Sequence, residues 1–142
     1  MSGKLKKYYS LFLVILLIII LMGISGCTNT NSKTKKLNDL EYTIVTDVEI
    51  PKEVRQLIAD NKKTLMKLSY TDQGEQYLVI GYGEQETSGY SVEVLEVYET
   101  KNVIYVDTNL LGPQPNEEIS TVATYPYIVI NIVANKKPVV FD

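Results

Sequence analysis

The chain has 142 residues, a formal charge of −3 and 45% hydrophobic residues. This length suits one domain of ordinary size. It contains one cysteine and no histidine. This composition excludes an intrachain disulfide, a Cys/His zinc site, a Ser-His-Asp triad and a Cys-His dyad. The acidic balance also argues against binding to nucleic acid, because phosphate contacts draw on clustered lysine and arginine.

The N-terminal segment has the three parts of a secretory signal. Three lysines occur within the first seven residues, an unbroken apolar run extends over residues 11–22, and the small residues Ser25 and Gly26 follow. The apolar run is shorter than the roughly 20 residues that span a bilayer comfortably. The segment therefore predicts export, and a transmembrane anchor is the alternative.

The sole cysteine, Cys27, ends the sequence Ile24-Ser25-Gly26-Cys27, which resembles a bacterial lipoprotein lipobox. This resemblance implies cleavage after Gly26, a diacylglyceryl thioether on Cys27 and a lipid anchor at the extracytoplasmic face of the cell membrane. Removal of residues 1–26 changes the formal charge to −6, so the acyl chains alone should provide membrane attachment. The alternative is an ordinary signal peptide followed by an unrelated cysteine.

Residues 28–38 are polar and nearly devoid of large apolar side chains, so packing gains too little to offset the entropy cost of ordering them. They predict a flexible tether with a reach of roughly 15–20 Å. The expected organisation is a signal peptide at 1–26, the lipidated cysteine and tether at 27–40, and one β-rich domain at 41–142. The alternative is a first strand that extends into the tether.

From residue 41 onwards the pattern predicts a mainly β, α+β domain: a small antiparallel sheet or sandwich of six to seven strands with one short amphipathic helix. Alternating apolar residues or short apolar runs indicate strands at 43–50, 65–70, 77–80, 91–98, 103–108, 127–133 and 139–141. The helix is predicted over 51–62, because Pro51 suits a first helical turn and apolar residues follow at helical spacing. Its apolar side should cover one face of a sheet.

Two local features refine this pattern. Val92 and Val94 face one side of their predicted strand, whereas Leu95 and Val97 face the other. A β-bulge near Val94 and Leu95 would bring both pairs to the same face. Pro138 precedes the last predicted strand, which favours an edge position for that strand.

The segment between the predicted strands at 77–80 and 91–98 contains three glycines within nine residues, at positions 81, 83 and 89. Glycine permits positive φ and close backbone approach, so this loop could turn tightly or present its amides to a ligand. A phosphate cradle is not expected, since neither a lysine nor a helical pattern follows the loop. The alternative is a plain connection between strands with Gly89 in a left-handed conformation.

A second unusual segment, Thr124-Tyr125-Pro126-Tyr127, leads into the predicted strand at 127–133. Proline fixes one backbone angle, and two tyrosines flank it. Tyrosine offers large, fairly rigid contact area with a polar tip, which suits an interface. Tyrosine also favours strands for packing reasons alone.

Together the two segments carry a family resemblance. Residues 77–94 read Tyr-Leu-Val-Ile-Gly-Tyr-Gly-Glu-Gln-Glu-Thr-Ser-Gly-Tyr-Ser-Val-Glu-Val, and residues 124–130 read Thr-Tyr-Pro-Tyr-Ile-Val-Ile. Over roughly 77–133 the chain resembles the C-terminal domain of the protease-complex subunit PrcB, although Ser88 stands where members usually have the first of two glycines. The resemblance implies an exported accessory protein associated with a protease complex, with no established catalytic activity and no agreed ligand.

The sequence therefore predicts a membrane-anchored, non-enzymatic interaction module whose partner is an exported protease or another surface protein. No cofactor, metal or catalytic residue is expected. The predicted interaction residues lie in two loops: Gly83, Thr87, Ser88, Gly89 and Tyr90 in the first, and Thr124, Tyr125, Pro126 and Tyr127 in the second.

Two alternative functions stay open. Residues 87–90, Thr-Ser-Gly-Tyr, are similar to a loop of chagasin-like cysteine peptidase inhibitors, although the chain lacks the proline that usually precedes that loop. Carboxylate catalysis is the other alternative, by Glu84 with Glu86 or by Glu117 with Glu118. It would require environments that separate the pKa values of the two carboxyls.

Overall fold

The computed structural model describes residues 35–142, so the predicted signal peptide, Cys27 and most of the predicted tether lie outside the described residues. In chain order the elements are β1 (Asn38–Asp39), β2 (Thr43–Ile44), α1 (Lys52–Asn61), β3 (Leu65–Asp72), β4 (Glu75–Tyr82), β5 (Ser91–Glu99), β6 (Ile104–Leu111), β7 (Tyr127–Val133) and β8 (Val139–Phe141). The mainly β class with one short helix is confirmed. None of the helices in this part of the chain is long and apolar enough to cross a membrane.

The strands form two four-stranded sheets, with orders β1-β5-β6-β8 and β2-β7-β4-β3. All pairs are antiparallel except β6 with β8, which lie parallel at the edge of the first sheet. The edge position predicted for residues 139–141 is therefore confirmed, and the parallel pairing of β8 is one addition to the predicted antiparallel arrangement. Eight strands replace the predicted six to seven, because the first sheet also includes β1, a strand of only two residues that the sequence pattern does not predict.

Apolar side chains between the two sheets form the larger of two cores, which we call the inter-sheet core. Its buried members come from both sheets: Leu78, Ile80, Val97, Ile104, Val106, Ile130 and Ile132. The alternation predicted for β7 is confirmed, since Ile128, Ile130 and Ile132 all contact this core. The domain is therefore a sandwich whose two sheets bury a shared apolar layer.

A second, helix-side core lies between α1 and the outer face of the second sheet. Val54 and Ile58 of α1 are buried there against Met66, Val79 and Val129. The predicted helix is confirmed to within one residue at each end, with Pro51 at the N-cap position. The central strands β4 and β7 are thus covered on both faces, which explains their nearly continuous apolar sequence.

The predicted bulge in β5 is confirmed by a register shift between Val94 and Glu96 against β6. Leu95 is the extra residue, and its side chain is exposed. Val94 and Val97 consequently reach the same face and both pack in the inter-sheet core. Of the predicted pair Leu95 and Val97, only Val97 therefore faces the core.

The predicted strand at 43–50 is wrong beyond its second residue. The N–H and hydroxyl of Thr46 both donate to the Glu49 carboxylate, and the Glu49 N–H donates to the Thr46 carbonyl. Such local bonds compete with a strand ladder, so the chain turns and Val48 is 86% exposed.

The predicted boundary between tether and domain at residues 40 and 41 lies too late in the chain. The Leu37 N–H donates to the Glu99 carbonyl at 2.9 Å, and the Leu40 N–H donates to the Val97 carbonyl at 2.9 Å. Leu40 also packs against the inter-sheet core. The edge of β5 thus orders a polar segment that has too few apolar residues to order itself.

Candidate functional site

The two motif segments are neighbours in the structure. Gln85 and Thr124 form an antiparallel bridge whose two N–H···O bonds measure 2.8 and 3.0 Å. This follows from the sheet order, because the end of β4 and the start of β7 lie side by side. We call this end of the sandwich, formed by residues 83–90 and 112–126, the motif end.

Side chains of the two segments strengthen this pairing. The Thr124 hydroxyl donates to the Thr87 carbonyl at 2.7 Å. The Ser88 N–H donates to the Ser120 carbonyl at 3.0 Å, and the Ser120 N–H donates to the Ser88 hydroxyl at 2.8 Å. These predicted interaction residues therefore serve the structure by holding one loop against the other.

Gly83 and Gly89 have φ values of 77° and 90°, in the left-handed region that favours glycine. A Cβ on Gly89 would lie 2.6 Å from the Cβ of Pro113, and a Cβ on Gly83 would lie 3.2 Å from the Lys63 carbonyl oxygen. The left-handed conformation predicted for Gly89 is confirmed. Backbone geometry alone accounts for both glycines.

Tyr125 contacts both an acidic and a basic side chain. Its hydroxyl donates to the Glu84 carboxylate at 3.0 Å, and the Lys62 ammonium lies 4.8 Å from its ring centroid. The bond to Glu84 raises the pKa of Tyr125. Its ring is half-buried, so one aromatic surface carries a positive and a negative neighbour at the motif end.

The remaining motif residues anchor the strand that follows. The Pro126 carbonyl accepts the Tyr82 N–H at 3.1 Å, which extends the β4–β7 ladder to the residue before the start of β7. The Tyr127 hydroxyl donates to the Asp47 carboxylate at 2.9 Å. Burial is the main cause that raises the pKa of Tyr127, and the bond to Asp47 raises it further. The half-buried Tyr90 ring lies beside Gly112.

A cleft of about 430 Å³ opens beside β7 where β2 turns away from it. We call it the β7 cleft; its lining residues are Ile44, Val45, Thr46, Asp47, Tyr125, Pro126, Tyr127, Ile128 and Val129. Sequence reasoning missed this cleft because it extended the first strand to residue 50. The possible signal was the Thr46–Glu49 pair, whose spacing favours a local turn.

The candidate catalytic carboxylates are used in other ways or are exposed. Glu84 binds Tyr125, and the Glu117 carboxylate accepts the Gln114 N–H at 3.1 Å within its own loop. Glu86 and Glu118 are exposed. Among residues 35–142, no three acidic or cysteine side chains are grouped so that they could hold a metal ion.

Residues 76–133 match the protein-family model described as PrcB C-terminal. The matched range runs from β4 to the end of β7 and contains both motif segments, so this part of the chain is similar to the PrcB C-terminal domain. The resemblance predicted from the sequence is confirmed.

The chain is also similar to an uncharacterized protein of Methanocaldococcus jannaschii, with 28% identity over 102 residues. The alignment covers 72% of this chain and 56% of that relative, so the chain spans little more than half of the relative's length. No solved structure matches the chain.

Proposed function

We propose that the protein is an exported, lipid-anchored and non-enzymatic accessory module that binds another protein through the motif end. We further propose that this partner belongs to an exported protease complex, which is the association implied by the PrcB C-terminal-like domain. The observation that carries the proposal is the convergence of two separate motif segments into one loop surface through the Gln85–Thr124 bridge.

The chemistry of the motif end suits a protein partner. Tyr125 offers a half-buried aromatic surface between Lys62 and Glu84. Ile119 and Val122 are 52% and 62% exposed in the segment that pairs with the glycine loop. An aromatic residue with adjacent apolar area and a charged rim is the composition found at the centre of many protein interfaces.

The membrane attachment in this proposal rests on the export signal and on Cys27. A thioether-linked lipid on Cys27 would keep the domain at the extracytoplasmic face of the membrane. In cell fractionation, a Cys27→Ala variant should therefore leave the membrane fraction or accumulate as uncleaved precursor. Unchanged cleavage and membrane retention of this variant would contradict the lipid anchor.

Crosslinking in intact cells, followed by purification of the full-length protein from membranes, tests the interaction. Tyr125→Ala and Val122→Glu should each remove most of a defined crosslinked partner, because they delete the aromatic surface and charge the apolar one. Tyr42→Ala is the matched control, since Tyr42 is 40% exposed in a segment away from the motif loops. Equal partner recovery from all variants would contradict the proposed surface.

Substitution of Gly89 is unsuited to this test. Any side chain at that position would meet Pro113 and distort the loop itself. Thermal unfolding of Val122→Glu should instead stay close to that of the wild type, because Val122 is 62% exposed. Tyr125→Ala also loses contacts with Glu84 and Lys62, so its control is a cooperative unfolding transition above the temperature of the crosslinking experiment. Loss of the partner would then report the interface and not the fold.

A further inference from the structure

β7 is an interior strand of its sheet over only part of its length. β2 pairs with it at Asn131 and Ile130, and the Val45 N–H adds one bond to the Val129 carbonyl at 2.9 Å. After Val45 the chain turns away into the 46–49 turn. The first residues of β7 therefore border the β7 cleft on the side where a further strand would lie.

The antiparallel ladder between β4 and β7 determines which backbone groups face the cleft. Because the Tyr82 N–H bonds to the Pro126 carbonyl, even-numbered residues of β7 point towards β4 and odd-numbered residues point away from it. The N–H and C=O of Tyr127 and the N–H of Val129 consequently point into the cleft. Within residues 35–142 these three groups have no backbone hydrogen-bond partner.

We propose that the β7 cleft binds an extended segment of a partner polypeptide, which adds to β7 as a strand beside Tyr127 and ends where Val45 already lies opposite Val129. An extended peptide backbone supplies alternating acceptors and donors that match the three unpaired groups. This inference rests on the proposed protein-binding function and names its mode of recognition.

The walls of the cleft indicate which side chains such a segment should carry. Ile44 is 55% exposed and lies, with Ile128, on the side of β7 that faces the inter-sheet core. Asp47 lies on the opposite side, bound to the Tyr127 hydroxyl. Because side chains alternate along a strand, the segment should place an apolar residue against the isoleucines and a neighbouring donor or basic residue near Asp47.

Two features favour a peptide over a folded second copy and over other edges. The open stretch of β7 extends only from Tyr127 to the point where Val45 bonds to Val129, which is enough for a short extended peptide but a short ladder for the pairing of two folded copies. The longer open edge of β3 carries Lys67, whose ammonium donates to the Phe141 carbonyl. A lysine on an edge strand is a common protection against pairing with another chain.

Amide hydrogen exchange on the full-length protein in detergent tests the backbone geometry. In the protein alone, the Tyr127 and Val129 amides should exchange at least about tenfold faster than those of Ile128 and Ile130, because only the latter bond to β4. Equally slow exchange at all four amides would overturn the inference.

A display library of short random peptides, selected on the same protein, supplies the probe. The selected peptide should slow exchange at Tyr127 and Val129 by about tenfold or more and leave the β3 amides unchanged. Ile44→Lys should weaken its binding by about tenfold or more, because a charge replaces the apolar wall. The control is Val48→Lys, which alters an exposed residue of the neighbouring turn outside the cleft lining and should leave binding unchanged.

Several results would overturn the inference: failure to select any peptide, protection of β3 instead of β7, or equal binding to Ile44→Lys. Failure of the proposed function is distinguishable from these results. Val122→Glu separates the two surfaces, because Val122 is exposed and does not line the cleft, whereas Tyr125 does. If Val122→Glu loses the membrane partner while Ile44→Lys retains it, the loop surface is supported and the cleft is not. If the peptide binds β7 as described while Val122→Glu retains the partner, the cleft is supported and the loop surface is not.

Discussion

The two ends of the sandwich are closed by different kinds of interaction. At the turn end, formed by residues 100–103 and 134–138, side chains make the structure. Thr100 is fully buried, and its hydroxyl accepts the N–H groups of Asn102 and Val103. The Lys137 ammonium binds the Glu99 carboxylate at 2.6 Å and the Thr100 carbonyl at 2.8 Å.

At the motif end, backbone pairing and small residues perform the same task. The Gln85–Thr124 bridge, the short side chains of Thr124 and Ser88, and the left-handed Gly89 hold the loops together. Large side chains such as Tyr125 and Val122 remain partly or mostly at the surface. The difference indicates that an end built from backbone contacts can leave its large side chains at the surface.

The largest predicted loss of stability comes from a substitution of Gly89 at the motif end. Gly89→Ala should lower the free energy of unfolding by roughly 2–4 kcal/mol, because it combines left-handed strain with a clash against Pro113. Gly74→Ala is the matched control: its φ is 88°, but nothing lies within 4 Å of the added Cβ. It should cost only about 1–2 kcal/mol, from the left-handed conformation alone. Equal losses in chemical denaturation would show that the contact with Pro113 is unimportant.

An intermediate effect is expected at the turn end from Thr100→Val. This change keeps the shape of the buried side chain but removes the acceptor of two backbone N–H groups, so the free energy of unfolding should fall by about 1–3 kcal/mol. Thr71→Val, at an exposed position of β3, should change it by less than about 0.5 kcal/mol. Denaturant titration of both variants measures this difference. An unchanged free energy of unfolding for Thr100→Val would mean that the turn does not depend on the Thr100 hydroxyl.

The smallest predicted effect depends on pH. Hydrogen bonds from Lys137 and Asn38 hold the pKa of Glu99 below its ordinary value. A depressed folded-state pKa stabilises the protein above the ordinary glutamate pKa, and this contribution is lost as the pH falls through the depressed value. Lys137→Met should therefore lower the unfolding temperature at neutral pH, and by progressively less below about pH 4.

The adjacent Lys136→Met provides the control for this measurement, since Lys136 is exposed and belongs to the same turn. Its unfolding temperature should follow the wild type at every pH. A deficit in Lys137→Met that stays constant down to about pH 3 would assign its effect to the bond with the Thr100 carbonyl or to packing of the lysine stem instead of the ion pair.

The sequence predicts those parts of the fold that depend on local periodicity. The apolar run in β4, the alternation in β7, the helical spacing of Val54 and Ile58 and the phase change in β5 each reflect burial of particular side chains. The two motif loops could also be expected at one end of the sheet, because they flank adjacent strands.

What the sequence misses depends on partners distant in the chain. β1 is ordered by the edge of β5, some 60 residues later. The parallel pairing of β8 with β6 leaves no local pattern in its three residues. The β7 cleft exists because a side-chain bond between Thr46 and Glu49 ends β2 early, and this bond competes with a strand pattern that looks continuous.

The pairing of β1 with β5 fixes the end of the sandwich at which the N-terminal residues join it. Residues 37–40 join the sandwich beside Glu99 and Val97, whereas β5 begins at Ser91, next to the motif end. At about 3.3 Å per residue, the nine residues of β5 separate these two points by roughly 25–30 Å. The described chain therefore enters the sandwich at the end opposite to its loop surface.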